Sequence, residues 1–271
     1  MKKLHLIGIS FLAASVLFLT GTPKVKADTT LIVGASSTPH AKILNHIKPQ
    51  LKKQGINLKV KVFDDYILPN KALANKELDA NYFQHKPFLE NWNEKNDGNL
   101  VSAGGVHLEP IGVYSKDYKS LKKLPKNATV LVSSSVSDYG RVLQIFKDAG
   151  LITLKKGTKI ENATFDDIKT NKKHIKFKHT YEAKLMPKLY DANEGDATVI
   201  NANYAVQAGL NPAKDAIALE KNSSPYVNIV AVRKGDQKKP AIKKLMKALR
   251  SKSTQKWIKK EFHGAVLPVN S

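Results

Sequence analysis

Leu78-Asp79-Ala80-Asn81-Tyr82-Phe83-Gln84-His85 has a counterpart far along the chain in Gly195-Asp196-Ala197-Thr198-Val199-Ile200-Asn201-Ala202-Asn203-Tyr204. In both, Asp-Ala leads into a short extended run that turns to amides and aromatic rings, where a core strand would continue with Val, Ile or Leu. That mixture suits a pocket wall, because aromatic faces desolvate a small molecule and a few fixed polar groups orient it. More than a hundred residues separate the two segments, so the economical reading is two lobes that each give one wall to a shared cleft.

Outward from these segments, strand-like and helix-like runs alternate, which predicts an α/β architecture. Thr30 to Gly34 reads as a buried strand, and Leu58 to Phe63 as an alternating one. His40 to Gln54 reads as a helix with Ile43, Ile47 and Leu51 on one face, Pro49 inside it and Gly55 as its stop. Asn70 to Glu77 is a short helix ahead of the first segment. The middle repeats the alternation, with strands at 129–132, 174–177 and 196–200 and helices at 140–149 and 182–190. Pro240 opens a helix carrying Ile242, Leu245, Met246 and Leu249, and Ser253 is expected to cap a last one with Trp257, Ile258 and Phe262. Two β-rich stretches, Leu108 to Tyr114 and Val227 to Arg233, flank the middle repeat and read as crossovers between lobes. The predicted division is therefore 28–112 plus 229–271 for one lobe and 113–228 for the other.

The first residues read as an export signal. Lys2 and Lys3 precede an apolar run from Leu4 to Leu19, shorter than the ~20 residues that span a bilayer. Val25-Lys26-Ala27 offers small residues for cleavage, leaving Asp28 at the mature terminus. Leu19-Thr20-Gly21 resembles the start of a lipobox, but Thr22 stands where the lipidated cysteine belongs and supplies no thiolate. A secreted or surface-retained protein is therefore expected, with a lipid anchor in doubt. The chain contains no cysteine, which excludes disulfides, thiolate metal sites and cysteine nucleophiles.

The chain's net charge is +22, and loss of Lys2, Lys3, Lys24 and Lys26 with the leader leaves 41 basic against 23 acidic residues, or +18. The basic residues are nearly all lysines spread along the whole length, without an Arg-rich stripe, so nucleic acid is not expected as a partner. Attraction to an anionic cell wall or membrane surface fits an exported chain better.

No His-Glu-x-x-His, Gly-x-Ser-x-Gly, Walker loop or Gly-x-Gly-x-x-Gly is present, so no enzyme is predicted and no cofactor is expected. His107 and Glu109 fit one strand face, yet two ligands fall short of the three or four that a metal site needs, and none is predicted. Arg141 is one of three arginines beside 42 lysines. A planar, bidentate donor after Gly140 at a helix start suits a carboxylate. Asn201 follows a predicted strand, the position at which open α/β sheets bind ligands, although an amide there also makes turns. Strand alternation puts Asn81, Phe83 and His85 on one side and Tyr82 and Gln84 on the other. Taken alone, Phe83 reads more often as core than as pocket, and His85 equally as a structural histidine.

Pro39-His40-Ala41, Pro69-Asn70, the first segment, Val106-His107-Leu108-Glu109-Pro110, Gly140-Arg141, Val199-Ile200-Asn201, Asn203-Tyr204-Ala205, Gln207-Ala208-Gly209-Leu210 and Ser224-Pro225-Tyr226-Val227-Asn228 run in order along the chain. In these pieces it resembles the methionine-binding subunits of ABC importers, the NlpA-type lipoproteins. The resemblance implies a two-lobed periplasmic-binding-protein fold, type II-like, with mixed sheets flanked by helices and two crossover strands. It implies a monomer that captures L-methionine, a related amino acid or a Met-containing dipeptide and delivers it to an ABC permease and its ATPase. By position it assigns the ligand to Tyr66, Phe83, His85, Arg141, Asn201 and Asn228. Arg141 would hold the α-carboxylate, the Asn side chains the amino and carboxylate groups, and the aromatics with His85 the thioether. Asn203 and Tyr204 are read as support. One departure is the serine-rich loop Ser133 to Tyr139, where the family has a Pro- and amide-rich one. The alternative to import is a surface adhesin or polyanion-binding protein that reuses the fold.

Overall fold

The computed structural model describes residues 28–221 and 225–269; the leader, with Thr22, lies outside them. The first part of the chain contains β1 (Thr29–Ser36), α1 (Lys42–Lys52), β2 (Ile56–Phe63), α2 (Leu68–Ala74), β3 (Ala80–His85), α3 (Lys86–Lys95) and β4 (Leu100–Leu108). The middle contains β5 (Gly112–Tyr114), β6 (Thr129–Ser133), α4 (Tyr139–Asp148), β7 (Ile152–Leu154), β8 (Ile168–Asn171), β9 (Lys176–Tyr181), α5 (Met186–Asp191), β10 (Ala197–Ile200), α6 (Ala202–Gln207), α7 (Pro212–Asp215) and β11 (Ala218–Leu219). β12 (Val227–Arg233), α8 (Pro240–Leu249), α9 (Lys252–Glu261) and β13 (Leu267–Pro268) complete it.

These strands form two mixed sheets, one per lobe. The first runs β13-β4-β12-β3-β1-β2 and the second β11-β5-β10-β6-β9, with β7 and β8 as a separate hairpin. The chain leaves the first sheet between β4 and β5 and returns to it between β11 and β12. The Asp-Ala pairs of the two opening segments do the same work in both sheets. Asp79 accepts the Ile32 N–H at 2.7 Å and donates its own to the Ile32 carbonyl at 2.8 Å. Asp196 does likewise with Thr129, at 2.7 and 2.8 Å. Each aspartate thus satisfies an otherwise unpaired backbone donor and sets the start of a parallel pairing, β3 on β1 and β10 on β6.

Each sheet has its own core. In the first, Val33 and Tyr82 pack with Ile43, Ile47 and Leu51 of α1 and with Leu245, Leu249 and Ile258 of the last two helices. In the second, Val130, Val132 and Val199 pack with Val142 and Phe146 of α4. Each such burial is worth about 1.5–3 kcal/mol before chain entropy is counted. Gly140 has no room for a side chain, since a β-carbon there would lie 1.8 Å from the carbonyl oxygen of Ile160.

Three local expectations shift. A wide helical turn, Ser37–Ala41, precedes α1, so the regular helix starts two residues after His40. The last helix is capped by Ser251, whose hydroxyl accepts the Thr254 N–H at 3.2 Å, and Ser253 falls inside its first turn. The strand read from His174 begins at Lys176, because His174 takes a left-handed turn with φ of 52°.

β3 also departs from simple alternation. Ile229 and Val230 of β12 are adjacent, but their partners on β3 are Gln84 and Tyr82. Phe83 is therefore the extra residue of a β-bulge, and a bulge re-aims the side chains that follow it. All six residues of β3 are buried.

Candidate functional site

A cavity lies between the sheets and is bordered by Tyr66, Phe83, His85, Arg141, Asn201 and Asn228. These are the six positions that the sequence resemblance singles out. They come from five places: the turn before α2, the bulged end of β3, the first turn of α4, the N-cap of α6 and the start of β12. Asp65 fixes the first of these, its carboxylate accepting the N–H groups of Ile67 and Leu68 at 2.6 and 2.8 Å.

The bulge explains why Gln84 also borders the cavity instead of facing away from Phe83 and His85. Its amide bonds to Asn70 and Asn81, at 2.7 and 2.9 Å, hold it there. Phe88 joins from α3 and closes an aromatic cluster with Tyr66 and Phe83, with ring centroids 5.8 to 5.9 Å apart. Spacing of this kind suits an apolar or thioether side chain.

His85 has two partners that settle its tautomer. Nδ1 accepts the Phe88 N–H at 3.2 Å and caps α3, so Nε2 carries the proton and donates to Asp138 Oδ1 at 3.0 Å. Asp138 comes from the serine-rich loop, which is tied rather than loose: Ser134 N–H donates to the Tyr181 carbonyl at 2.8 Å, and Val136–Asp138 forms a single helical turn. Burial alone would raise the pKa of Asp138. Hydrogen bonding from His85, the Arg141 guanidinium and the Asn201 amide outweigh it and hold the carboxyl well below its usual range.

A second buried carboxylate, Glu109, receives Nε2 of His40 at 3.1 Å and Nε2 of His107 at 2.7 Å. Hydroxyls orient both rings from behind, Ser36 at His40 Nδ1 (2.6 Å) and Tyr82 at His107 Nδ1. His40 Nε2 also lies 3.0 Å from Asn228 Oδ1. The His107–Glu109 pair noted in the sequence therefore has a third member, His40, with potential ligand atoms all within 4.8 Å. His107 and Glu109 are hydrogen-bonded, and the His40 and His107 rings meet with centroids 5.1 Å apart. Burial opposes ionisation of Glu109, but the two imidazoles outweigh it and hold its pKa far below the ordinary value. Burial also lowers the pKa of His107, against the pull of Glu109.

Arg141 is heavily engaged within the protein. Its guanidinium bonds Glu220 through Nε at 3.0 Å and again through Nη2; Nη2 also reaches the Glu109 carbonyl at 2.8 Å, and Nη1 reaches Asp138 at 3.4 Å. The Tyr226 ring lies 4.8 Å from the guanidinium carbon. Burial would lower the Arg141 pKa, and the Glu220 and Asp138 charges raise it instead. Of five N–H groups, one on Nη1 lies outside these bonds.

Two amides leave one atom each unmatched. Asn201 donates Nδ2 to Asp138 at 3.1 Å, and its buried Oδ1 has no hydrogen-bond partner among the described residues. Asn203 accepts the Tyr66 hydroxyl at 2.6 Å, and its buried Nδ2 is equally without a partner. α6 makes two more bonds to the other lobe, from the Tyr204 hydroxyl to the Asp64 carbonyl and from Gln207 Nε2 to the Thr38 carbonyl, both 3.2 Å. Asn203 borders the cavity rather than merely supporting it. Sequence reasoning passed over Asp138 and Phe88 and read Asn203 only as support. Asn203 carried a signal, its place within the second segment, whereas Asp138 was read only as part of an altered loop.

The signature of the NlpA lipoprotein family matches residues 31–270. The methionine-binding lipoprotein MetQ of Bacillus subtilis is 48% identical over 274 residues, covering all of both chains. A pheromone cOB1 precursor/lipoprotein of the YaeC family from Enterococcus faecalis has the same fold, with a TM-score of 0.87, 56% identity, and 89% of this chain and 100% of that one covered. A nutrient-binding protein from Burkholderia cenocepacia, solved with methionine bound, matches with a TM-score of 0.82 and 41% identity over 88% of this chain and 99% of that one. Two α/β lobes around a shared cavity, with these likenesses along nearly the whole length, make the chain a member of the NlpA lipoprotein family.

Proposed function

We propose that this protein is the non-catalytic solute-binding component of an ABC importer for L-methionine, a closely related amino acid or a Met-containing dipeptide. The observation that carries the reading is the cavity between the sheets, lined both by aromatic rings and by polar groups of both signs. Tyr66, Phe83 and His85 would enclose the thioether, while Arg141, Asn201 and Asn228 would face the amino-acid backbone. The relatives support this: one is named for methionine binding and another was solved with methionine bound. The lobes would be 28–112 plus 229–271 and 113–228, a division supported by which strands share a sheet. Ligand contacts to both would favour closure, and the closed form would be what a permease and its ATPase recognise.

The protein would act outside the cytoplasm as a monomer. With Thr22 at the lipobox cysteine position, retention would rest on its +18 mature charge and an anionic wall or membrane surface. Among the described residues, no helix is long and apolar enough to cross a membrane.

The test is calorimetric titration of ligand-stripped protein with L-methionine and Met-containing dipeptides. Saturable binding is expected. No heat from these or from any other amino acid would sink the importer reading and leave the polyanion-binding alternative.

A further inference from the structure

The mature charge of +18 is not spread evenly over the fold. Residues 229–271 hold twelve basic residues against two acidic ones, which is +10 of that total. Most of them belong to α8 and α9, which touch each other and pack with α1 on one core. The three helices carry ten lysines and a single acid, Glu261. No acid occurs anywhere from Thr29 to Phe63. The apolar sides of these helices, with Ile43, Ile47, Leu245, Leu249 and Ile258, are buried. Their lysine sides therefore form one outer surface.

Little of this charge is neutralised within the protein. Glu261 approaches Lys42 at 3.8 Å, and Asp28 pairs with Lys52. Lys48, Lys243, Lys247, Lys252, Lys256 and Lys260 are exposed, and no acid pairs with them among the described residues. Lys243 and Lys247 are four apart on α8, as are Lys252, Lys256 and Lys260 on α9, a spacing at which like charges repel. No acid stands one turn from Lys243, Lys247 or Lys256 in either direction. The surface also lacks an apolar component. The exposed large hydrophobics among the described residues, Val62, Ile67, Leu68, Val136 and Leu185, lie on other elements, and Trp257 stacks on His46 with centroids 4.1 Å apart. Arg250 is engaged with the Gly105 carbonyl at 2.7 Å. What faces solvent is lysine, a hydrated point charge that suits a diffuse field of anions better than one seated phosphate. No residue of α1, α8 or α9 borders the cavity, so a partner on this face leaves the cleft free.

We propose that the outer face of α1, α8 and α9 docks the mature protein on a bilayer of anionic phospholipids. This rests on the charge-based retention proposed above, to which it gives a place and a partner, and it is independent of what the cavity binds. A bilayer is the fitting anion because the absent device is a membrane anchor: the chain has no cysteine to carry a lipid. Anionic headgroups present many charges in one plane, and each lysine near such a surface strengthens binding about fivefold. With nothing apolar to insert, the attachment is reversible and screened by salt.

The test is co-sedimentation of the mature chain with vesicles of phosphatidylcholine, alone or mixed with phosphatidylglycerol. Binding to the anionic vesicles is expected at about 0.1 M salt, with release at about 1 M and no binding to the neutral ones. Combining Lys243→Gln, Lys247→Gln, Lys256→Gln and Lys260→Gln should weaken it about 100-fold or more. The control combines Lys155→Gln, Lys156→Gln, Lys169→Gln and Lys172→Gln, exposed positions on and beside the β7–β8 hairpin of the other lobe. It should change binding less than about threefold, since charges beyond a screening length contribute little. Amine acetylation of the natural chain gives the same answer without a variant: anionic vesicles should protect Lys247 and Lys256 and leave Lys155 and Lys172 reactive. Equal losses in the two variants would overturn this face and leave retention by overall charge. Binding of soluble polyphosphate without binding of anionic vesicles would overturn the bilayer as partner. Binding of neither would overturn both the face and retention by charge, while the importer reading stands or falls separately by calorimetry.

Discussion

A β-carbon on Gly140 would meet the Ile160 carbonyl oxygen at 1.8 Å, and that oxygen belongs to backbone that cannot swing away. The residue lies in the first turn of α4, directly before Arg141, so the constraint bears on the site itself. Gly140→Ala should destabilise by about 3 kcal/mol or more, through overpacking against main chain. Gly150→Ala is the control: its φ of +72° strains alanine, but nothing lies within 4 Å, and about 1 kcal/mol is expected. Urea unfolding of both variants checks the difference; equal losses would mean that α4 can shift to make room. At this scale the sequence was informative where a residue type was scarce. Arg141 stood out among lysines, and Asn201 by its place after a strand. Asp138 and Phe88 did not, because an aspartate in a serine-rich loop or a phenylalanine after a proline has many ordinary roles. Only the packing of α3 and α4 brings those two to the cavity.

Among the elements, β3 carries the largest difference between pattern and structure. Period-two alternation places Gln84 opposite Phe83 and His85, and the bulge at Phe83 puts all three on the cavity. A bulge depends on pairing with β12, almost 150 residues away, and no local pattern encodes it. The twin Asp-Ala signals were visible, but not their purpose, which is to start parallel pairings on β1 and β6. The short hairpin of β7 and β8 escaped because three- and four-residue strands have too little periodicity to read. His85 joins two elements, capping α3 and donating to Asp138 across the cleft. Loss of the cap costs about 1 kcal/mol, and a buried carboxylate short of a donor costs about 1–3 kcal/mol more. His85→Ala should therefore lower stability by at least about 2 kcal/mol in denaturant titration. A change below 0.5 kcal/mol, within ordinary surface variation, would show that water replaces both bonds.

For the whole molecule, buried acids and a buried imidazole dictate the response to pH. Asp138 and Glu109 have native pKa values far below their ordinary 3.8 and 4.5, and that of His107 falls below 6.5. In each case the unfolded chain binds protons first on acidification. Their stabilisation is therefore complete above the unfolded values and is lost as pH falls, beginning near 6.5 for His107 and steepening below about 4.5. Each group contributes a slope of up to about 1.4 kcal/mol per pH unit. Urea midpoints from pH 7 to 3.5 should trace that decline, and Glu109→Gln should flatten its acid limb; an unchanged limb would remove Glu109 as a source. The bonds that α6 makes to the opposite lobe, through Asn203, Tyr204 and Gln207, have a kinetic side. Separating α6 from these partners breaks all three, so they are expected to lengthen residence time. Tyr204→Phe removes one bond without touching the cavity lining and should speed methionine release about fivefold in stopped flow. Because the three bonds sit on one short helix, displacement of α6 alone would undo them all.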